Sequence, residues 1–247
     1  MLATRGLVPT PEVFTGYDVV FCATGIAHIK ETDENRSRYF EVNRDLVVSM
    51  AKSAKEAGVH QFILLSSMSV YGMETGYITK YTEPRPNSAY GKSKLEADET
   101  VKKLEDSRFL FTCLRPPMVY GRNCKGNYQT LRKFALQSPI FPNYKNQRSM
   151  IYIENLCEFV KDCIEERKHG LYFPQNDEYS NTSEMVKVIA ETHGKRIKLT
   201  KAFNWAIRIA PMDVFKKVFG DLVYEPVDMV GKCGFRESVK LTEELIK

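Results

Sequence analysis

The chain has 247 residues, 43% of them apolar and 27% charged, with a formal net charge of +5. This suits a globular protein with one large core or two joined lobes. No stretch approaches the ~20 apolar residues of a membrane-spanning helix, so no membrane span is expected. Met1–Pro9 carries Arg5 in its middle and no long apolar run, so no secretory signal is expected.

The chain begins irregularly, with Pro9 and Pro11 ahead of a short apolar run, Tyr17–Ala23, that ends at Thr24-Gly25. That run reads as a buried strand entering a loop. A helix follows over 36–57, closed by Gly58, with Tyr39, Asn43, Leu46, Met50 and Ala54 on its inward stripe. Phe62–Leu65 is the next buried strand, with Ser66–Ser69 at its C-terminal end. A proline-containing loop then leads to a helix over 89–104, and Phe109–Leu114 forms a third strand. Mostly apolar strands alternating with helices predict a parallel sheet covered on both faces.

Past Tyr120 the pattern loosens. A helix is expected over 128–136, a loop over 138–149, a short strand at Met150–Ile153 and a helix over 155–166. Leu171–Phe173 is read as another strand. Asn181, with Glu184 three residues on, opens a further helix ending near Gly194. The expected fold class is α/β: a Rossmann-like parallel sheet, shortened at its N-terminal side, with a smaller C-terminal α/β lobe. Residues 1–117 make the first domain; residues 118–247 make the second, with some segments returning to the sheet.

The six cysteines form no C-x-x-C pair and the four histidines show no ligand spacing. Reduced thiols, a cytoplasmic setting and no metal site follow. The apolar windows at Phe62–Leu65 and Phe203–Ala210 are of strand and surface-helix size. Basic residues are spread along the chain, so no nucleic-acid partner is expected. A mildly positive cleft suits a phosphate-bearing small substrate.

Tyr90 and Lys94 lie four residues apart, and on a helix they project from one face about a turn apart. That face continues through Ala97, Val101 and Leu104, which makes it the buried side, where a lysine needs a partner or a ligand. A phenol with a pKa near ~10 is a poor base at neutral pH. A neighbouring ammonium favours the phenolate. A serine at a strand end could orient a substrate hydroxyl while the phenol moves its proton. Taken alone, the pair also reads as a core tyrosine beside a solvated lysine.

Several motifs occur together. Leu65–Gly72 resembles the S-S-x-x-V-Y-G strand end of extended short-chain dehydrogenases/reductases. Ser88–Glu99 is similar to their S-x-Y-G-x-S-K-x-x-x-E helix, with Asp98 or Glu99 as the acid. Leu114–Gly121 resembles L-R-P-x-x-V-Y-G. Arg148–Leu156 resembles R-x-x-x-H-V-D-N-L with Tyr152 in the histidine place, and Gly234–Glu244 resembles the closing G-F-x-P-x-x-x-L-x-E-G. Ala27-His28 and Lys125–Asn127 bring the nucleotide-sugar 4-epimerases and 4-ketoreductases nearest.

The resemblance implies an NAD(P)-dependent enzyme acting at C4 of a UDP-sugar in surface-polysaccharide synthesis, possible as a homodimer. Its implied catalytic residues are Tyr90, Lys94 and Ser67. Tyr90 is the acid/base, Lys94 binds the nicotinamide ribose and lowers the Tyr90 pKa, and Ser67 orients substrate, with Ser66 as its rival. Thr24, Gly25, Asn43, Ser66, Tyr90, Lys94 and Pro117 are the implied cofactor-binding residues. Asn127 and Arg148 would grip the nucleotide-sugar phosphates, for which a guanidinium offers fixed donors. Tyr128, Phe141 and Tyr144 are expected to pack rather than stack on uracil. Met118 stands where the epimerases often have asparagine.

The family's opening strand and G-x-x-G-x-x-G turn, which cradle the cofactor pyrophosphate, have no counterpart. Gly6 and Gly16 stand alone. At ~30 residues per βαβ unit, roughly 50–70 residues are expected to be missing, through a fragment or a late start. NAD or NADP binding by this chain alone therefore lacks its pyrophosphate cradle. The alternative function is an inactive nucleotide-sugar-binding or interaction module.

Overall fold

Four parallel strands carry the first part of the chain: β1 (Val19–Cys22), β2 (Gln61–Leu65), β4 (Leu110–Leu114) and β8 (Gly170–Tyr172). They lie in the order β1-β2-β4-β8, with Val20 opposite Phe62, Ile63 opposite Thr112 and Leu114 opposite Tyr172. The computed structural model describes residues 8–27, 29, 31–202, 204 and 218–244. Gly6, His28 and most of the 203–210 window lie outside the described residues.

The chain divides into two compact units. The first comprises Met1–Gly72, Glu83–Pro116 and Val160–Phe173; the second comprises Met73–Thr82, Pro117–Phe159 and Pro174–Lys247. Segment 73–82, which a division at residue 117 places in the first domain, thus belongs to the second unit.

In the first unit the two central strands, β2 and β4, are buried almost throughout, as strands covered on both faces are. The helix expected over 36–57 is built from α1 (Arg36–Phe40), a π-helical stretch Glu41–Leu46 and α2 (Val47–Glu56). The wide π turn moves the inward face on by about one residue. Val47 is fully buried where regular spacing would place Leu46, which is only half-buried. Helix α3 (Ala89–Lys102) begins at Ser88, whose hydroxyl accepts the Gly91 N–H at 3.1 Å. Phe14, Val47, Ala51, Phe62, Leu64, Ala97 and Val101 form the core between these helices and the sheet.

The second unit is held by short parallel pairs. Strand β3 (Gly76–Ile78) pairs with β11 (Leu222–Tyr224), and β5 (Met118–Tyr120) with β7 (Met150–Tyr152). Strand β6 (Ile140–Pro142), inside the expected loop, pairs with β10 (Lys198–Thr200), and β9 (Gln175–Asn176) with β12 (Met229–Val230). Helices α4 (Asn127–Gln137), α6 (Thr182–Thr192) and α7 (Phe235–Glu244) belong to this unit, and α5 (Ile153–Glu165) begins in it and passes to the first unit at Val160. Helix α6 opens on the Asn181 side chain, which accepts the Glu184 N–H at 3.0 Å. Glu243 of α7 is buried, and its carboxylate meets the Tyr128 hydroxyl at 2.8 Å, Arg132 Nε at 2.8 Å and His193 Nε2 at 2.6 Å.

Candidate active site

The parallel sheet of the first unit brings the C-terminal ends of β1 and β2 together, and α3 runs beside them. Glycine at position 91 makes the approach possible. A Cβ there would stand 2.6 Å from the Ser69 carbonyl oxygen. The short turn Met68–Tyr71 begins at Ser67, whose hydroxyl accepts the Ser69 N–H at 3.1 Å.

Tyr90, Lys94 and Asp98 occupy one stripe of α3, and each meets a different one of three successive residues. The Ser67 side chain lies near enough to the Tyr90 phenol to oppose the rise of its pKa, while Ser67 Oγ donates to Ser69 Oγ at 3.1 Å. Lys94 Nζ donates to the Leu65 carbonyl at 2.9 Å and to the Thr24 carbonyl at 3.2 Å. Asp98 Oδ2 accepts the Ser66 hydroxyl at 2.8 Å and Arg115 Nε at 3.1 Å. Lys94 is only 4% exposed, and its ammonium therefore sits among carbonyl oxygens in place of water.

Burial pushes the Tyr90 phenol up from its ordinary value, and the Ser67 hydroxyl pulls against that rise. Burial also lowers Lys94. The expected lowering of Tyr90 by Lys94 is thus not what this framework provides. The ammonium is spent on two strand-end carbonyls, and desolvation governs the phenol.

Asn43 joins the site from the π-helical stretch. Its Oδ1 accepts the Ile26 N–H at 2.7 Å, and its Nδ2 donates to the Ile26 carbonyl at 3.1 Å and to Ser93 Oγ at 3.2 Å. A buried amide on an apolar stripe is satisfied in this way, and the loop after β1 is fixed. Gly25 in that loop is exposed, and Thr24 is half-buried beside Met50.

Ser66, expected among the cofactor-binding side chains, has its hydroxyl committed to Asp98 and is buried. Of the two serines, Ser67 is the one whose hydroxyl bears on the Tyr90 phenol. Sequence reasoning missed the roles of Gly91, Ser93 and Arg115. The Ser93 hydroxyl donates to the Tyr90 carbonyl at 2.9 Å, and Arg115 Nη1 donates to the Tyr71 hydroxyl at 2.9 Å. The Y-G-x-S-K and L-R-P motifs were the available signal for all three.

In the second unit, Pro117 is buried ahead of β5 and Asn127 is exposed at the first position of α4. Arg148 donates through Nη1 to the Gly220 carbonyl at 2.8 Å. Burial lowers its pKa, and Asp221 and Glu74 oppose that shift. Tyr128 and Phe141 are core residues, and Tyr144 packs partly buried against them. Among the described residues, no three His, Cys, Asp or Glu side chains are grouped to hold a metal ion, and no helix is long and apolar enough to cross a membrane.

The profile of the NAD dependent epimerase/dehydratase family matches residues 10–172. A UDP-glucose 4-epimerase of Vibrio cholerae is 30% identical over 213 residues, covering 82% of this chain and 63% of that protein. An N-acetyl-alpha-D-glucosaminyl-diphospho-ditrans,octacis-undecaprenol 4-epimerase of Escherichia coli O157:H7 is 29% identical, covering 61% of this chain and 46% of its own length. The chain thus spans less than two thirds of either relative. A UDP-glucuronic acid 4-epimerase from Bacillus cereus, solved in complex with NAD, superposes with a TM-score of 0.74 at 16% identity, over 95% of this chain and 76% of that one. At that identity the likeness is one of fold.

Proposed function

Because the chain belongs to the NAD dependent epimerase/dehydratase family, we propose that it carries the proton-transfer half of an NAD(P)-dependent 4-epimerase or 4-ketoreductase acting on a UDP-sugar. The observation that supports this reading most directly is the buried Lys94, one turn from Tyr90 on α3, with its ammonium on the Thr24 and Leu65 carbonyls at the two strand ends. Similarity to a UDP-glucose 4-epimerase over 82% of the chain supports the substrate class.

The residues that would hold the dinucleotide are Thr24, Gly25 and Asn43 along the loop after β1, with Tyr90 and Lys94. Pro117 is included by motif. Bound there, the dinucleotide supplies hydride acceptance and return at the sugar carbon. Tyr90, as phenolate, would take the proton of the C4 hydroxyl and then give it back; burial disfavours that charge, and the positive charge of a bound oxidised nicotinamide would favour it. Ser67 orients that hydroxyl. Lys94 fixes the two strand ends and adds positive charge near the ribose. Asn127 and Arg148 are proposed for the diphosphate, where a guanidinium supplies fixed donors.

The six thiols suit a reducing, cytoplasmic setting. The spread of basic residues favours no nucleic-acid partner. Pairing of two copies belongs to the same proposal.

The test is calorimetry with UDP-glucose and with NAD+, followed by a C4-epimerisation assay on wild type and Tyr90→Phe. Tyr90→Phe should lower turnover by about 10²–10⁴-fold and leave UDP-sugar affinity unchanged. Equal turnover in that variant removes Tyr90 from its role. UDP-sugar binding without any NAD+ binding would favour a binding module over an enzyme.

A further inference from the structure

The Asp98–Arg115 pair is given no reacting role in that proposal. It nevertheless grips the chain on both sides of Ser67. On one side Asp98 Oδ2 takes the Ser66 hydroxyl at 2.8 Å. On the other, Arg115 Nη1 donates to the Tyr71 hydroxyl at 2.9 Å, with its guanidinium carbon 5.3 Å from the centre of the Tyr71 ring. Asp98 is 3% exposed and Arg115 is 8% exposed. A charged pair removed from water to this extent is a rigid anchor, because any loosening strands one charge.

The backbone of the same segment is pinned as well. The Ser66 N–H donates to the Leu114 carbonyl at 2.7 Å and the Met68 N–H to the Pro116 carbonyl at 2.9 Å. Side chains diverge at successive positions of extended backbone, and Ser67 is extended at φ −163° and ψ 149°. A Ser66 hydroxyl held downward on Asp98 therefore sends the Ser67 hydroxyl the other way.

We propose that Ser66 is a positioning residue, anchored on the Asp98–Arg115 pair, that presents the Ser67 hydroxyl to Tyr90. The proposal rests on the Ser67–Tyr90 pairing of the preceding reading and gives Ser66 a role apart from the cofactor. It accounts for two adjacent serines at the end of β2, one taken up by a buried carboxylate and one, bonded to Ser69 Oγ, beside the proposed reacting phenol. The Ser67 hydroxyl also opposes the rise that burial imposes on Tyr90, so a misplaced Ser67 has a readable electrostatic signature.

The experiment is NMR of the full chain labelled with [13Cζ]tyrosine, Tyr90 being assigned from Tyr90→Phe. Both the titration and the neutral-pH Tyr90 13Cζ shift are read. Ser67→Ala should weaken Tyr90 acidity by about 3–10-fold, which is a rise of about half to one pKa unit. Ser66→Ala should shift Tyr90 in the same direction, and Ser66→Thr, which keeps the hydroxyl, should match wild type. The double variant Ser66→Ala/Ser67→Ala should equal Ser67→Ala alone, because the first serine acts through the second.

Additive shifts in the double variant overturn the proposal. So does a wild-type Tyr90 signal in Ser66→Ala when Ser67→Ala has moved it. If Ser67→Ala itself leaves Tyr90 unmoved, the Ser67–Tyr90 pairing is absent, and the catalytic reading fails together with the positioning one.

Discussion

Gly25 and Lys94 are packed so closely that a Cβ on the glycine would stand 3.0 Å from the ammonium nitrogen and 3.2 Å from Asn43 Oδ1. Lys94 cannot easily give way, because Nζ is already held by the Thr24 and Leu65 carbonyls. Gly25→Ala should therefore cost about 1–3 kcal/mol, as overpacking of a tight site does. Urea unfolding reads this as a lower midpoint with an unchanged slope. An unaltered midpoint would mean that the ammonium has slack.

Arg115 pairs with Asp98 and Tyr71 at once. Arg115→Met should cost about 3–5 kcal/mol, since a buried carboxylate then loses its cation. Arg115→Lys keeps the charge but lacks the fork that spans both partners. It should fall between the two, and thermal unfolding of the three proteins gives the order. Equal stability of Arg115→Met and wild type would refute the pairing.

Burial raises the Asp98 carboxyl above its ordinary 3.8, in spite of the Arg115 guanidinium. The folded chain then binds this proton more readily than the unfolded one. The stability that results is full below pH 3.8 and is lost as pH rises through the folded value. Asp98→Asn removes the titration. The stability of wild type relative to Asp98→Asn should fall as pH rises from about 4 toward neutrality. A difference that grows with pH would show the ion pair outweighing desolvation.

In the second unit the Glu243 carboxylate gathers Tyr128, Arg132 and His193, residues of or beside α4 and α6, onto α7. Glu243→Ala should cost about 3 kcal/mol and speed hydrogen exchange across 235–244, with little change in β2. Uniform exchange in both places would argue against a local clamp.

Strand β1 stands at the edge of the four-stranded sheet, and its Phe21 is 42% exposed. An apolar edge invites pairing with another chain. Sedimentation should show concentration-dependent association, reduced in Phe21→Lys. A monomer at every concentration would refute this.

The parts of the fold legible in the sequence were those governed by local periodicity. The i, i+4 spacing of Tyr90 and Lys94 puts both on one helical face, and the Asn181 cap announces α6. The register at the end of β2 was not legible, because a one-residue slip exchanges Ser66 and Ser67. Nor were Asp98 with Arg115, or Glu243 with Tyr128 and His193, which meet only after distant segments pack. Strands β3 and β6 have three residues each, too few for an alternating pattern to register. The direction of the Tyr90 shift escaped for a different reason. It depends on how much water the folded site excludes, which residue spacing does not encode.

Asn43 reaches 17 residues back to Ile26 and 50 residues forward to Ser93. Releasing any one of these contacts strands an amide in an apolar setting, so the loop after β1 has no inexpensive way to fray. It should share the lifetime of the surrounding core rather than that of an ordinary surface connection. The Ile26 amide should then keep its proton nearly as long as the amides of β2 keep theirs. A dinucleotide bound as proposed would meet a surface that is already set before it arrives.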